Sequence, residues 1–495
     1  SNGSDKLFWT SGDEYFTNNL NTRFKFLEGA PDSLPPPDTA GIKIGLKLPH
    51  DKPNGTIAIT GARIITMDSK RKIIENGTII IKQNRIETVG GSEVQIPKDA
   101  YVLKADGKSI MPGLIDVHAH QGTFRQGLSP QKQWSYFANL AYGITTTHDP
   151  SSNSEMVFSQ SEMVKSGTMI GPRIFSTGWI LYGAEGEYRA IINKPSDALS
   201  AINRTLSFGA FSVKSYNQPR REQRQMVIDA ARKTGTHVYP EGGSFFFHNL
   251  SMILDGHTGI EHNLPIAPLH LDVINLFKSS KTAITPTLIV GYGAVSGEYY
   301  FYQEGNVWEN KKLLNFTPRF IIDSRARHRT MIPKEEYDNG HILVSQSLKK
   351  LADAGVKVNL GSHGQIQGIG AHWELWMLSQ GGMTNMQVLE CATVNGAHYI
   401  GMEDDLGSIE AGKLADLVVL DKNPLDNIRN TETVSYTMAN GRLYDATTMN
   451  EIGNRVKSRG KFYWETSRSC SSFTWHMNEQ GQEEQSGTSG CCSKH

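Results

Sequence analysis

The chain has 495 residues and a formal net charge of +0, with 50 Lys plus Arg against 50 Asp plus Glu. That length buries a full barrel core and leaves material for a second domain, while balanced charge with no long run of one sign excludes a nucleic-acid stripe or a polybasic membrane patch. No apolar run approaches the roughly 18 residues of a membrane helix, so the partner read from composition is a small molecule or short peptide.

In chain order, residues 1–55 hold short apolar pieces, Leu7-Phe8-Trp9 and Phe24-Lys25-Phe26-Leu27, that read as strands, followed by the Pro-rich linker Asp32 to Asp38. Residues 56–110 read as the first part of a small β domain, with strands at Thr56 to Ile65, Thr78 to Gln83, Arg85 to Val89 and Tyr101 to Leu103. From 111 to 400 strand and helix alternate, with eight strands ending near His118, His148, Thr177, Lys214, Glu241, His262, Thr287 and His363 and helices such as Pro219 to Thr234 and Gln346 to Ala354. Eight repeats predict an α/β fold, a (β/α)8 TIM barrel, with its site at the strand C-termini. No Gly-rich phosphate fingerprint follows the first strand, which disfavours a doubly wound open sheet. Gly291 to Met331, rich in Tyr, Phe and Asn, reads as an excursion that lids or walls the site. Residues 401–464 return to strands and turns and are expected to complete a composite β-sandwich with 56–110; residues 465–495 read as a disordered tail. Cys391 in a helical pattern and Cys470, Cys491 and Cys492 in the tail make no disulfide framework and leave the redox compartment open. The start at Ser1 rather than Met reads as a fragment or processed product.

The centre of the chain is Met111-Pro112-Gly113-Leu114-Ile115-Asp116-Val117-His118-Ala119-His120, a short apolar run that reads as a buried strand ending in a metal site. Alternation along a strand points His118 and His120 the same way, and two adjacent imidazoles suit a divalent cation better than a core. Lys214, Glu241, His262 and His363 also fall at strand ends. Singly, Lys214 reads equally as a snorkelling surface lysine, His262 as a core histidine and His363 as a loop polar group; their joint position is the signal.

With Gly143-Ile144-Thr145-Thr146-Thr147, Gly259-Ile260-Glu261-His262, Thr393-Val394-Asn395-Gly396-Ala397 and Leu406 to Leu420 added, the chain over about 56–445 resembles the amidohydrolase superfamily, most closely its imidazolonepropionase and prolidase-like branch. It is similar above all to members that follow a TolB-like β-propeller, which would make residues 1–32 the last propeller strands. The resemblance implies one or two divalent ions, most often zinc, activating water against a C–N bond. By position, His118 and His120 would bind the first metal, Lys214 would match the carbamylated bridging lysine, and His262 would bind the second metal. The chain departs from the family at Glu241, where a histidine is usual, and at His363, where the proton-accepting aspartate is usual. Both can ligate, and both are candidate general bases.

Tyr216 and His148 are candidate substrate contacts. His148, Asp149, Glu185, Glu187 and His237 are candidate supports behind the ligands, and His257 belongs to a helix end or loop. The expected activity is metal-dependent hydrolysis of amide, non-peptide or dipeptide-like C–N bonds. The alternatives are deamination of an aminated heterocycle on the same site, or a non-catalytic metal-binding scaffold. A homo-oligomer is compatible with the resemblance, which also leans towards export to the periplasm.

Overall fold

The computed structural model describes residues 5–20, 23, 24, 26, 28, 31–35, 38, 40–122, 130, 132–182, 190–326 and 331–466. Glu185 and Glu187 lie outside these residues, as does nearly all of the expected tail.

Gly113 divides the central stretch in two. Ser109–Pro112 belongs to a nine-stranded sheet and Leu114–Asp116 to a parallel one, so the run read as a single strand is a crossover between two layers. A Cβ at Gly113 would stand 2.1 Å from Thr145 Oγ1, and its N–H donates to the Asp416 carbonyl at 2.8 Å. Only glycine fits where the chain passes this close to a neighbouring strand.

The large sheet runs Glu451–Ile452, Arg442–Asp445, Val434–Ala439, Leu417–Leu420, Ser109–Pro112, Thr56–Ile65, Ile73–Lys82 and Arg85–Gly90, with Tyr101–Lys104 also paired to Thr56–Ile65. Its middle joint sets Pro112 opposite Leu417. Ile59, Ile64, Ile79, Ile81, Leu417 and Val419 form its buried apolar face.

Parallel pairing then builds the second layer. Leu114–Asp116, Ile144–Asp149 and Arg173–Ser176 pair in order, as do Ser212–Ser215 with His237–Pro240 and Gly259–Glu261 with Ala283–Thr285. Single bridges join these groups, Leu181 to Ser215, Glu241 to Glu261 and Ile284 to Val358. The Val117 N–H donates to the Leu360 carbonyl at 3.0 Å and the His363 N–H to the His118 carbonyl at 2.7 Å, which returns the ring to its first strand. The fold is α/β and contains a TIM barrel, with helices such as Arg221–Thr234 and Leu343–Asp353 outside it. No helix among the described residues is long and apolar enough to cross a membrane.

One element is filled in and one expectation is corrected. The excursion after strand seven is helical, with Glu298–Glu304, Lys311–Phe316 and Arg319–Ala326, because Leu313 with Phe316 and Ile322 with Ala326 recur at helical spacing and are buried. Phe24 and Phe26 are in coil and turn rather than a strand; the hairpin Lys6–Ser11/Glu14–Asn19 already has its other edge occupied by Ile42–Lys43.

Candidate metal centre

Strand ends one, four, five, six and eight bring the six expected positions together. The first half is His118, His120 and His363, whose nitrogens lie within 4.8 Å of one another. The second half is Lys214, Glu241 and His262: Glu241 has one oxygen 2.5 Å from Lys214 Nζ and the other 2.9 Å from His262 Nε2. The two halves touch, with the His118 and His262 rings 4.9 Å apart and His363 stacked on His118 at 5.0 Å. His262 and His363 both hold left-handed backbone, φ 70° and 58°, a conformation rare for residues with a side chain and typical of constrained sites.

The ring nitrogens facing away from the centre are engaged. His118 Nδ1 is 2.5 Å from Glu261 Oε2, His120 Nδ1 is 3.2 Å from Asp149 Oδ1, and His262 Nδ1 is 2.6 Å from Thr287 Oγ1. An Nδ1–H held by a carboxylate leaves the Nε2 lone pair free for a cation. Burial holds His118 and His262 below the ordinary imidazole value, and Lys214 adds to the effect. Burial, then His120, pushes His363 down to about 2. Burial also opposes ionisation of Glu241, but Lys214 and His262 outweigh it and hold the carboxyl well below its usual range.

His118 Nε2, His262 Nε2 and Glu241 Oε2 are buried without a hydrogen-bond partner. Glu241 meets its lysine and histidine at ion-pair distance, so of the three atoms only His118 Nε2 has neither a hydrogen bond nor an ion pair. Buried polar atoms are seldom left so. Three imidazoles whose ligand nitrogens lie within 4.8 Å of one another, those of His118, His120 and His363, fit a divalent cation.

His363 differs. Arg325 donates to Gln365 Oε1 at 2.6 Å, which fixes the amide and turns its Nε2 towards His363 Nδ1 at 3.4 Å.

Other expected residues separate. Asp149 backs His120, and Tyr216 packs its ring 5.4 Å from Lys214 Nζ. His148 is buried, bonded through Nε2 to Ser212 Oγ at 2.9 Å and packed on Tyr239, so it supports the barrel interior and does not join the cluster. His237 opens its strand, four residues or roughly 13 Å before Glu241, and cannot back the ligands. His257 follows a helix end, with Nδ1 on the Met252 carbonyl at 2.9 Å.

Three contributors escaped the sequence reading. Glu261 is buried between His118 and Tyr399, whose OH donates at 2.7 Å; burial raises its carboxyl to about 8. Tyr292, in the excursion, donates to Glu241 Oε1 at 2.9 Å and stacks on His262 at 4.2 Å. Asp116 accepts from the His118 and Ser362 N–H groups and joins the first barrel strand to the eighth segment. Glu261 adjoined a quoted residue, so alternation along its strand was the available signal; Tyr292 and Tyr399 gave none.

A barrel that gathers imidazole, carboxylate and lysine side chains at its strand C-termini has the architecture of a barrel enzyme. Residues 326–444 match the model of the amidohydrolase family. The chain is 26% identical over 399 residues to the imidazolonepropionase of Brevibacillus brevis, covering 73% of this chain and 87% of that protein. It is 24% identical over 416 residues to the ochratoxinase of Aspergillus niger, covering 75% and 83%. A solved Xaa-Pro dipeptidase with methionine bound in its active site superposes with a TM-score of 0.61 at 23% identity, covering 79% of this chain and 100% of that one. Residues 326–444 thus carry an amidohydrolase-family match, and the chain as a whole is similar to imidazolonepropionase and ochratoxinase in sequence and to a Xaa-Pro dipeptidase in fold.

Proposed function

We propose that the protein is a metal-dependent hydrolase of amide or peptide-like C–N bonds. The observation that carries this is the cluster of His118, His120 and His363, whose ligand nitrogens lie within 4.8 Å of one another at the ends of the barrel strands. His118, His120, His363, His262 and Glu241 would hold one or two divalent ions, zinc by donor chemistry, and Lys214 would join them once carbamylated. Such an ion supplies Lewis acidity, polarising a scissile carbonyl and making water a stronger nucleophile at neutral pH. Glu241, ionised and steadied by Tyr292, is the base that receives a proton from the attacking water. Glu241 then gives that proton to the departing nitrogen, and His363, held neutral by burial, is the alternative acceptor for it. Tyr216 beside Lys214 hydrogen-bonds the substrate carbonyl. The single nine-stranded sheet, drawn from segments before and after the barrel, supports the reading of a composite β domain. The imidazolonepropionase and ochratoxinase relatives, by their names, support C–N hydrolysis.

The test is metal analysis followed by chelation. A stoichiometric divalent ion, activity on N-acyl amino acids or dipeptides, loss of activity on chelation and its return with metal are expected. Less than one ion per chain would favour a scaffold, and turnover of aminated heterocycles alone would favour deamination.

A further inference from the structure

At the other end of the barrel strands from the histidine cluster, a cavity of ≈ 190 Å³ lies between the barrel and the nine-stranded sheet. Arg173 opens the third strand and Thr145 is the second residue of the strand beside it, so the cavity is at the barrel's N-terminal end. Asn440 and Arg442 face it from the sheet.

Its lining is cationic. Arg442 is bound by Asp51 and by Glu451 at 2.9 Å, and Arg455 shares that same Glu451. Lys165 has Glu162 at 3.0 Å, and Arg459 has Glu465 at 2.7 Å. Three other cations are poorly matched. Arg173 reaches Asp416 only at 3.5 Å, and Asp416 also accepts the Asn440 N–H at 2.7 Å. Lys132 Nζ donates to two neutral carbonyls, Gly460 and Lys461. Lys457, on the exposed rim, has no carboxylate within ion-pair distance among the described residues. Seven cations therefore stand against five carboxylates, counting the ion-pair partners outside the lining.

Two further atoms are unpartnered. Arg173 Nε and Thr145 Oγ1 are buried without hydrogen bonds, and both residues line the cavity. Lys132 and Arg459 both stand 4.9 Å from the centre of the Phe462 ring, two like charges gathered at one wall. A polar cavity of this volume admits several water molecules or one small anion. A charge excess of two, with a guanidinium and a hydroxyl unpaired, matches a divalent tetrahedral oxyanion.

We propose that this cavity is a binding site for a small divalent oxyanion of the phosphate type, held between barrel and sheet and separate from the proposed catalytic centre. Arg173 and Thr145 bind it from the barrel strands, Lys132 closes it from just before the helix Trp134–Ala141, and Lys457 from the C-terminal segment.

The experiment titrates inorganic phosphate into the metal-loaded protein at constant ionic strength in chloride buffer, read by calorimetry and by Tm. Saturable binding with a Tm rise of about 2 °C at saturation is expected. The double variant Lys132→Gln/Lys457→Gln should bind at least tenfold more weakly while keeping wild-type kcat/KM in phosphate-free buffer. Should that variant fail to fold, Lys457→Gln, altered at an exposed position, should still weaken binding several-fold. The proposal is overturned if the signal does not saturate, if matched chloride gives the same Tm rise, or if the variants bind phosphate like wild type. Binding there with no hydrolase activity would leave the site standing and sink only the catalytic reading.

Discussion

Glu261→Gln isolates the contribution of a carboxylate that the proposed ion never touches. The side chain keeps its size, and its amide oxygen still accepts from His118 Nδ1, at 2.5 Å in the wild type; what disappears is the negative charge that the carboxyl, raised to about 8 by burial, carries above that pH. A carboxylate holds its proton donor about twice as strongly as a neutral acceptor, and losing such support from a ligating histidine weakens metal affinity about 10- to 100-fold. That corresponds to about 1.4–2.7 kcal/mol. Burial already disfavours the ionised Glu261, so the metal-free variant should melt no lower than wild type. The assay is competition with a chelator of known affinity at fixed pH, with the metal-free Tm as folding control. A dissociation constant within twofold of wild type, in a variant that folds normally, would falsify the claim that Glu261 fixes the His118 tautomer for a metal.

Two other substitutions probe the frame. Burial raises Glu374 from the ordinary 4.5 to about 8, although the Leu288 and Ile289 N–H groups favour its ionised form. The folded state thus holds this proton more tightly than the unfolded one, so the stability contribution is complete below about pH 4.5 and is lost as pH rises to 8, with a ceiling of about 5 kcal/mol. Glu374→Gln, which imitates the protonated form, should match wild type in Tm at pH 5 and exceed it at pH 9; parallel curves would remove Glu374 from the account. Gly113→Ala drives a methyl to within 2.1 Å of Thr145 Oγ1 and should lower stability by about 1–3 kcal/mol in urea, whereas an unchanged midpoint would mean the crossover relaxes freely.

Much of the centre was legible because strand chemistry is local. His118, His120, Lys214, Glu241, His262 and His363 each follow a short apolar run, and parallel pairing carries the ends of such runs to one rim of a barrel. What was illegible depends on contacts between distant parts of the chain. Tyr399 reaches Glu261 across 138 positions and Tyr292 reaches Glu241 across 51, and neither spacing leaves a periodic mark. His237 misled because a histidine inside a strand gives no indication of which end of the barrel it occupies. The break at Gly113 escaped for the same reason, since only the approach of Thr145 reveals it.

The joint between Ser109–Pro112 and Leu417–Leu420 also sets an order of events during synthesis. The two strands are separated by roughly 300 residues, which a ribosome needs roughly 15–60 s to deliver. Through that interval Ser109–Pro112 has its parallel neighbour Thr56–Ile65 and an open hydrogen-bonding edge on the other side. The barrel is therefore born tethered to an unfinished sheet, and the nascent chain depends on a chaperone, or on rapid barrel closure, to keep that edge from pairing with another chain.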